Sequence, residues 1–196
     1  MEHGDKRVAN LWLADELWQL GAIQAGDFSL GTAVHSPVYV NLRLLISNPA
    51  ALREAAEVML EEVRTLQSMR HPRLAHYDLI AGVPFGGLHL ATAFSLLSGT
   101  PLIYLHPAKD GGGHVIEGTY SSGQTVLIID DLITGGRSIL QTAARLAAEN
   151  LIIEDALVLL DRQQGGQMRL KREGINLEAI LTLVADATAP PRRRSS

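Results

Sequence analysis

One short stretch, Val126–Ser138, does most to restrict the folds open to this chain. Val126, Leu127, Ile128 and Ile129 are consecutive apolar residues, and the strand they imply reads as Thr125–Asp130. Asp130 and Asp131 close it, and Leu132 and Ile133 lead into Thr134, Gly135, Gly136, Arg137 and Ser138, where a helix opens. A strand this apolar needs cover on both faces, as parallel strands have in α/β proteins. In such sheets ligands bind beyond the carboxyl ends of the strands, so this turn lies where a ligand would sit. Glycines let backbone amides converge on a phosphate, hydroxyls add donors, and the helix N-terminus favours negative charge. The two carboxylates just before it repel phosphate but accept hydrogen bonds from sugar hydroxyls. A phosphate cradle beside a diol acceptor suits a ribose 5-phosphate. The same spacing also suits a strand–turn–helix with only an Asp cap and a glycine turn.

The flanking sequence repeats the alternation. Strand Asp78–Val83 precedes helix Gly87–Leu97, strand Leu102–Leu105 leads into a glycine-rich loop from His106 to His114, and helix Arg137–Glu149 follows the central strand. Ala156–Leu160, a short helix at Gln167–Arg172 and Leu177–Leu183 complete the series. Asn48 and Pro49 form a capped helix start, with Leu52, Ala55, Met59, Val63 and Leu66 on one stripe. Alternating strands and helices predict a doubly wound, mostly parallel sheet. The first forty-odd residues break the rhythm: Leu11, Leu13, Leu17 and Leu20 mark a helix over Val8–Leu20, and Phe28–Leu30 and Val38–Leu42 read as short strands. The expected organisation is an N-terminal helix and hood over 1–47, a core over 48–184 and a flexible tail over 185–196.

A length of 196 residues, with 46% hydrophobic and 19% charged residues, fits one globular domain. The absence of cysteine excludes disulfides, thiolate metal sites and a cysteine nucleophile. No apolar run approaches the roughly 18 residues of a membrane span, and Met1–Arg7 lacks a signal-peptide core. The cytoplasm is the expected home, with no membrane partner. A net charge of −4 offers no global field for nucleic acid, so a phosphate site must be local. The arginines Arg192, Arg193 and Arg194 read as a solvated terminus.

The Val126–Ser138 segment resembles the phosphoribosyl-pyrophosphate motif of type I phosphoribosyltransferases. Phe28–Arg43 resembles the N-terminal, orotate-side segment of the orotate phosphoribosyltransferase branch. Ala81–Gly87 resembles its pyrophosphate-side loop and Leu160–Gly166 its orotate-binding arginine segment. The likeness runs in unbroken order over roughly residues 8–183. It implies a type I phosphoribosyltransferase-like fold with a small hood, and transfer of ribose 5-phosphate from phosphoribosyl pyrophosphate to orotate, giving orotidine monophosphate and pyrophosphate. Carried over, Thr134, Gly135, Gly136 and Ser138 would hold the 5-phosphate and Asp130 and Asp131 the ribose hydroxyls, with Leu132, Ile133 and Arg137 completing the phosphoribosyl-pyrophosphate-binding segment. Val83, Pro84, Phe85 and Gly86 would face the pyrophosphate. Arg162 would grip orotate with Tyr39, Val40 and Thr134. Lys109 and Asp131 would be catalytic. The cofactor implied is Mg2+, held mainly through pyrophosphate with no dedicated protein ligand, and the implied assembly is a homodimer with Val38–Ile46 as a candidate interface piece.

The pattern departs from the family between His106 and His114, where a basic run, a catalytic lysine and a histidine are expected. Here Leu105, His106 and Pro107 replace the Arg-Lys pair, Lys109 alone keeps a cation, and His114 is either a substitute histidine or an exposed residue at a strand edge. Gly31 and Ala33 stand where the family has lysine and glycine. Arg137 either restores positive charge at the turn or points to solvent, because helix N-termini do not favour cations. Three readings follow from sequence: an orotate transferase, a weakened relative that binds nucleotide in a regulatory role, and a transferase for another base.

Overall fold

The computed structural model describes residues 10–30, 34–107 and 114–183. Its centre is a six-stranded sheet in the order β5-β4-β3-β6-β7-β8. The strands are β3 (Leu79–Gly82), β4 (Leu102–Pro107), β5 (His114–Glu117), β6 (Thr125–Ile133), β7 (Ile152–Asp161) and β8 (Asn176–Thr182). Only β5 runs antiparallel, pairing with β4; the other neighbours are parallel. Alternate residues of the central strands feed two separate apolar layers. Leu127, Ile129, Leu157 and Leu159 enter one, with helices α2 (Pro49–Ser68) and α3 (Gly86–Ser98). Val126, Ile128, Ala156 and Val158 enter the other, with α4 (Arg137–Ala147) and α5 (Gly166–Arg172). This is the doubly wound α/β fold that the alternating sequence implies.

The chain leaves β3 for α3 on one face and β6 for α4 on the other, and these two strands are neighbours. Their carboxyl ends therefore flank a crevice at a topological switch point, the usual ligand position in open α/β sheets. Helix α2 starts as the sequence predicts, with the Asn48 side chain accepting from the Ala51 amide at 3.2 Å and Pro49 in the first turn.

Several elements differ from expectation. Helix α1 (Leu11–Gln19) buries Leu13 and Leu17, four residues apart, but leaves Leu11 56% exposed. A residue two positions from a buried one lies on the far side of a helix. The second N-terminal strand ends early: β1 (Ile23–Leu30) pairs antiparallel with β2 (Val34–Val40), and Leu42–Ser47 is a 3₁₀ helix. Leu42 and Leu45 are both buried there, because residues three apart eclipse in a 3₁₀ turn. Strand β4 continues through Pro107, and β5 beyond the glycine-rich segment was not anticipated; pairing of Leu105 with Ile116 and His106 with Val115 extends the one and creates the other. Strand β6 runs past the acid pair to Ile133 because β7 keeps pairing with it, Leu132 opposite Leu160 and Ile133 opposite Asp161.

Candidate active site

The crevice is a cavity of about 530 Å³ with three walls. Val83, Pro84, Phe85 and Gly86, leaving β3, form the first; their register places Gly82 opposite Ile129, and the Val83 amide donates to the Ile129 carbonyl at 2.9 Å. The peptide bond between Pro84 and Phe85 is cis. The second wall is continuous from Asp130 to Ile139, the end of β6 and the first turn of α4. Val40, Asn41, Leu42 and Arg43, between β2 and α2, form the third, and Arg169 of α5 completes the lining.

Missing side chains bring the first two walls together. A Cβ on Gly86 would collide with the Asp131 carboxylate, and one on Gly87 would stand 2.7 Å from the Asp130 Cα. Helix α3 can therefore set its first turn against the acid pair only because both positions are glycine. The pair itself is braced: Asp130 Oδ1 accepts from the Asp131 amide at 2.9 Å and Asp131 Oδ1 from the Leu132 amide at 2.8 Å. Both residues are buried. Burial, and then the adjacent Asp131 carboxylate, push the Asp130 pKa well above its usual value, against backbone donation from Asp131 and Gly87.

At the turn, Gly136 has φ +76°, a left-handed conformation that favours glycine, and it immediately precedes α4. The first backbone amides of α4 have no partner within the helix, and they give this end of the cavity wall a positive dipole end that favours an anion. The turn Thr134–Ser138 and the acid pair Asp130 and Asp131 thus line one cavity, amide donors beside carboxylate acceptors. Val83–Gly86 line the same cavity from the β3 side.

No protein-family model matches the chain. Among curated proteins it is 40% identical over 172 residues to the orotate phosphoribosyltransferase of Chlamydia caviae, covering 85% of this chain and 79% of the relative. It is 34% identical over 171 residues to that of Caenorhabditis elegans, covering 86% and 72%. The chain belongs to the orotate phosphoribosyltransferase family. It is accordingly a phosphoribosyltransferase, with the type I fold. Among solved structures, the orotate phosphoribosyltransferase of Aeropyrum pernix superposes with a TM-score of 0.71 at 31% identity, over 87% of this chain and 93% of that one.

Within this family frame, every residue expected to bind phosphoribosyl pyrophosphate lines the cavity, as do Val40 and Thr134 on the orotate side. Tyr39 and Arg162 do not line it. The Tyr39 ring packs on Phe28 with centroids 5.4 Å apart. Arg162 follows β7, and its Nη2 donates to the Val38 carbonyl at 3.3 Å, joining the sheet to β2 beside Tyr39 and Val40. Lys109, Gly31 and Ala33 lie outside the described residues, and His114 opens β5. Sequence reading did not single out Asn41, Leu42, Arg43, Ile139 or Arg169 as site residues. Arg43 carried a signal in the orotate-side segment; Arg169 carried none. His89, also unanticipated, sits in the first turns of α3 with its Nε2 buried and no hydrogen-bond partner among the described residues. Burial lowers its pKa and Arg43 adds to the shift, while Asp131 opposes it.

Proposed function

We propose that this chain transfers ribose 5-phosphate from phosphoribosyl pyrophosphate to orotate. The bond between the ribose anomeric carbon and the pyrophosphate oxygen breaks, a bond from that carbon to the orotate ring nitrogen forms, and the nitrogen loses its proton. The products are orotidine monophosphate and pyrophosphate. One observation carries the reading: the phosphate turn, the acid pair and the Val83–Gly86 loop share a single cavity at the switch point of the sheet.

The roles follow from position. Backbone amides of Thr134–Ser138 bind the 5-phosphate and fix the sugar, which makes the transfer effectively unimolecular. Asp130 and Asp131 accept from the ribose hydroxyls, and Asp131, beside Gly86, faces positive charge as it grows on an oxocarbenium-like sugar. Orotate is held by the backbone at Tyr39 and Val40 and by the guanidinium of Arg162, a group suited to carboxylates, which would exchange the Val38 carbonyl for the ligand. Lys109, between β4 and β5, is the catalytic cation for the departing pyrophosphate.

Among the described residues no group of three or more His, Asp or Glu could hold a metal ion. The acid pair beside the phosphate turn fits a magnesium ion that would be held mainly through pyrophosphate oxygens and water, with no dedicated protein ligand. When bound, the ion neutralises charge on the leaving group. The chain works as a homodimer in this reading, in the cytoplasm. Among the described residues no helix is long and apolar enough to cross a membrane.

Incubation of the purified chain with orotate, phosphoribosyl pyrophosphate and Mg2+ should consume orotate, and Lys109→Ala should slow this by about 100-fold, the loss of one charged contact to the transition state. The single lysine between His106 and His114 also favours a second reading, a regulatory relative that binds nucleotide. That reading predicts a raised melting temperature with orotidine monophosphate and no turnover in either protein.

A further inference from the structure

Arg169 stands in the wall of the active-site cavity without a role so far. It belongs to α5, a helix held directly against the phosphate turn. A Cβ at Gly166 would stand 2.5 Å from the Thr134 carbonyl oxygen, and one at Gly136 would stand 2.6 Å from Leu170 Cδ1. Glycine at both positions is therefore what permits the contact. Arg169 follows Gly166 by three residues, which puts it on the helix face that meets the turn. Its Nη1 lies 3.6 Å from where a Cβ would project on Gly135, so the guanidinium lies over the backbone of the turn.

This is an unfavourable place for a cation in the absence of an anion. The N-terminus of α4 contributes positive dipole charge at the same turn, Arg137 lines the same wall, and Arg169 makes no ion pair among the described residues. A bound phosphate dianion removes the conflict, because each of these groups then faces negative charge. A guanidinium also supplies paired N–H donors with the geometry of phosphate oxygens. We infer that Arg169 is a side-chain ligand of the 5-phosphate, gripping it from the side opposite the backbone amides. The inference rests on the transferase reading above and adds a binding residue to it.

The test compares the affinities of orotidine 5′-monophosphate and of orotidine for the full chain, its Arg169→Gln variant and its Arg169→Lys variant, by calorimetry. Arg169→Gln should weaken the nucleotide about tenfold, the loss of one exposed charge-assisted contact. The nucleoside, which lacks the phosphate, should change by less than about twofold on the same grounds. Arg169→Lys should recover part of the nucleotide affinity through charge alone. Inorganic phosphate should compete less effectively for Arg169→Gln than for the parent. Equal losses for nucleotide and nucleoside would mean that α5 has been disturbed, and an unchanged nucleotide affinity would mean that Arg169 does not reach the phosphate; either result overturns the inference. If the parent bound neither phosphoribosyl pyrophosphate nor the nucleotide, the transferase reading itself would fall, a result distinct from a parent that binds and a variant that binds equally well.

Discussion

Asp130 carries two opposing demands. A sugar hydroxyl is best received by an ionised carboxylate, yet the side chain is buried beside a second acid, and both facts favour its protonated form. Its pKa in the folded chain is raised above the ordinary 3.8. Below that value the group is protonated in both states and costs nothing. As pH rises, the unfolded chain ionises first, so stability from the protonated form is lost progressively until the higher folded pKa is passed. Asparagine imitates the protonated carboxyl and keeps an oxygen for the Asp131 and Gly87 amides. Asp130→Asn should therefore melt higher than the parent at pH 7 without ligand, by about 2–4 °C for each kcal/mol recovered. The gap should close below about pH 4, where both chains are neutral at this position. Turnover should fall roughly 10- to 100-fold, the cost of weakening a hydrogen bond to a charged group. A parent that melts at or above the variant at pH 7 would refute the strain assigned to Asp130.

Helix α3 shows how local sequence and long-range packing pull apart. Glycine is unfavourable inside a helix by roughly 0.5–1 kcal/mol relative to alanine, so Gly87→Ala ought to stabilise an isolated helix. In the folded chain the added methyl meets the Ile129 carbonyl and lies 2.7 Å from the Asp130 Cα, backbone atoms that cannot swing aside. Overpacking of this kind costs about 1–3 kcal/mol, so Gly87→Ala should lower the melting temperature. Gly86→Ala meets the Asp131 carboxylate, a side chain that can rotate. There the fold should hold while the transfer rate drops, and a variant with parental kinetics would show that Asp131 does not need its observed position. The same contrast explains what was legible in the sequence. The Asp130–Ser138 turn and the Val83–Gly86 loop were readable because each is a contiguous pattern, helix α2 because its apolar residues repeat at helical spacing, and helices α3 and α4 because they alternate with apolar strands. The 3₁₀ turn at Leu42–Ser47, the four-residue β5 and the extension of β6 to Ile133 were not, since partner strands and packing rather than local pattern define them. Arg169 was invisible for a related reason. It reaches the site only because Gly166 lets a seven-residue helix dock on Thr134.

At the scale of the molecule, the N-terminal hood and the sheet share one apolar layer. Leu13 and Leu17 of α1, Ile23 of β1 and Leu42 and Leu45 of the 3₁₀ turn belong to the same buried cluster as Met59, Leu90, Leu127 and Leu157. A boundary near residue 47, where the sequence changes character, thus runs through a continuous core and not through a linker. Removing the hood would uncover the flank of α2, and fully burying one leucine alone is worth roughly 1.5–3 kcal/mol. The hood also carries Val40–Arg43 into the cavity, so the site and the core depend on the same contacts. Calorimetric melting should therefore give one transition whose van't Hoff and calorimetric enthalpies agree. Phosphoribosyl pyrophosphate at about 100 times its dissociation constant should move that transition upward as a unit, by about 2.7 kcal/mol of added stability. A separate low-temperature transition, insensitive to the ligand, would mean that the hood melts on its own, and the shared layer would then contribute far less than its burial implies.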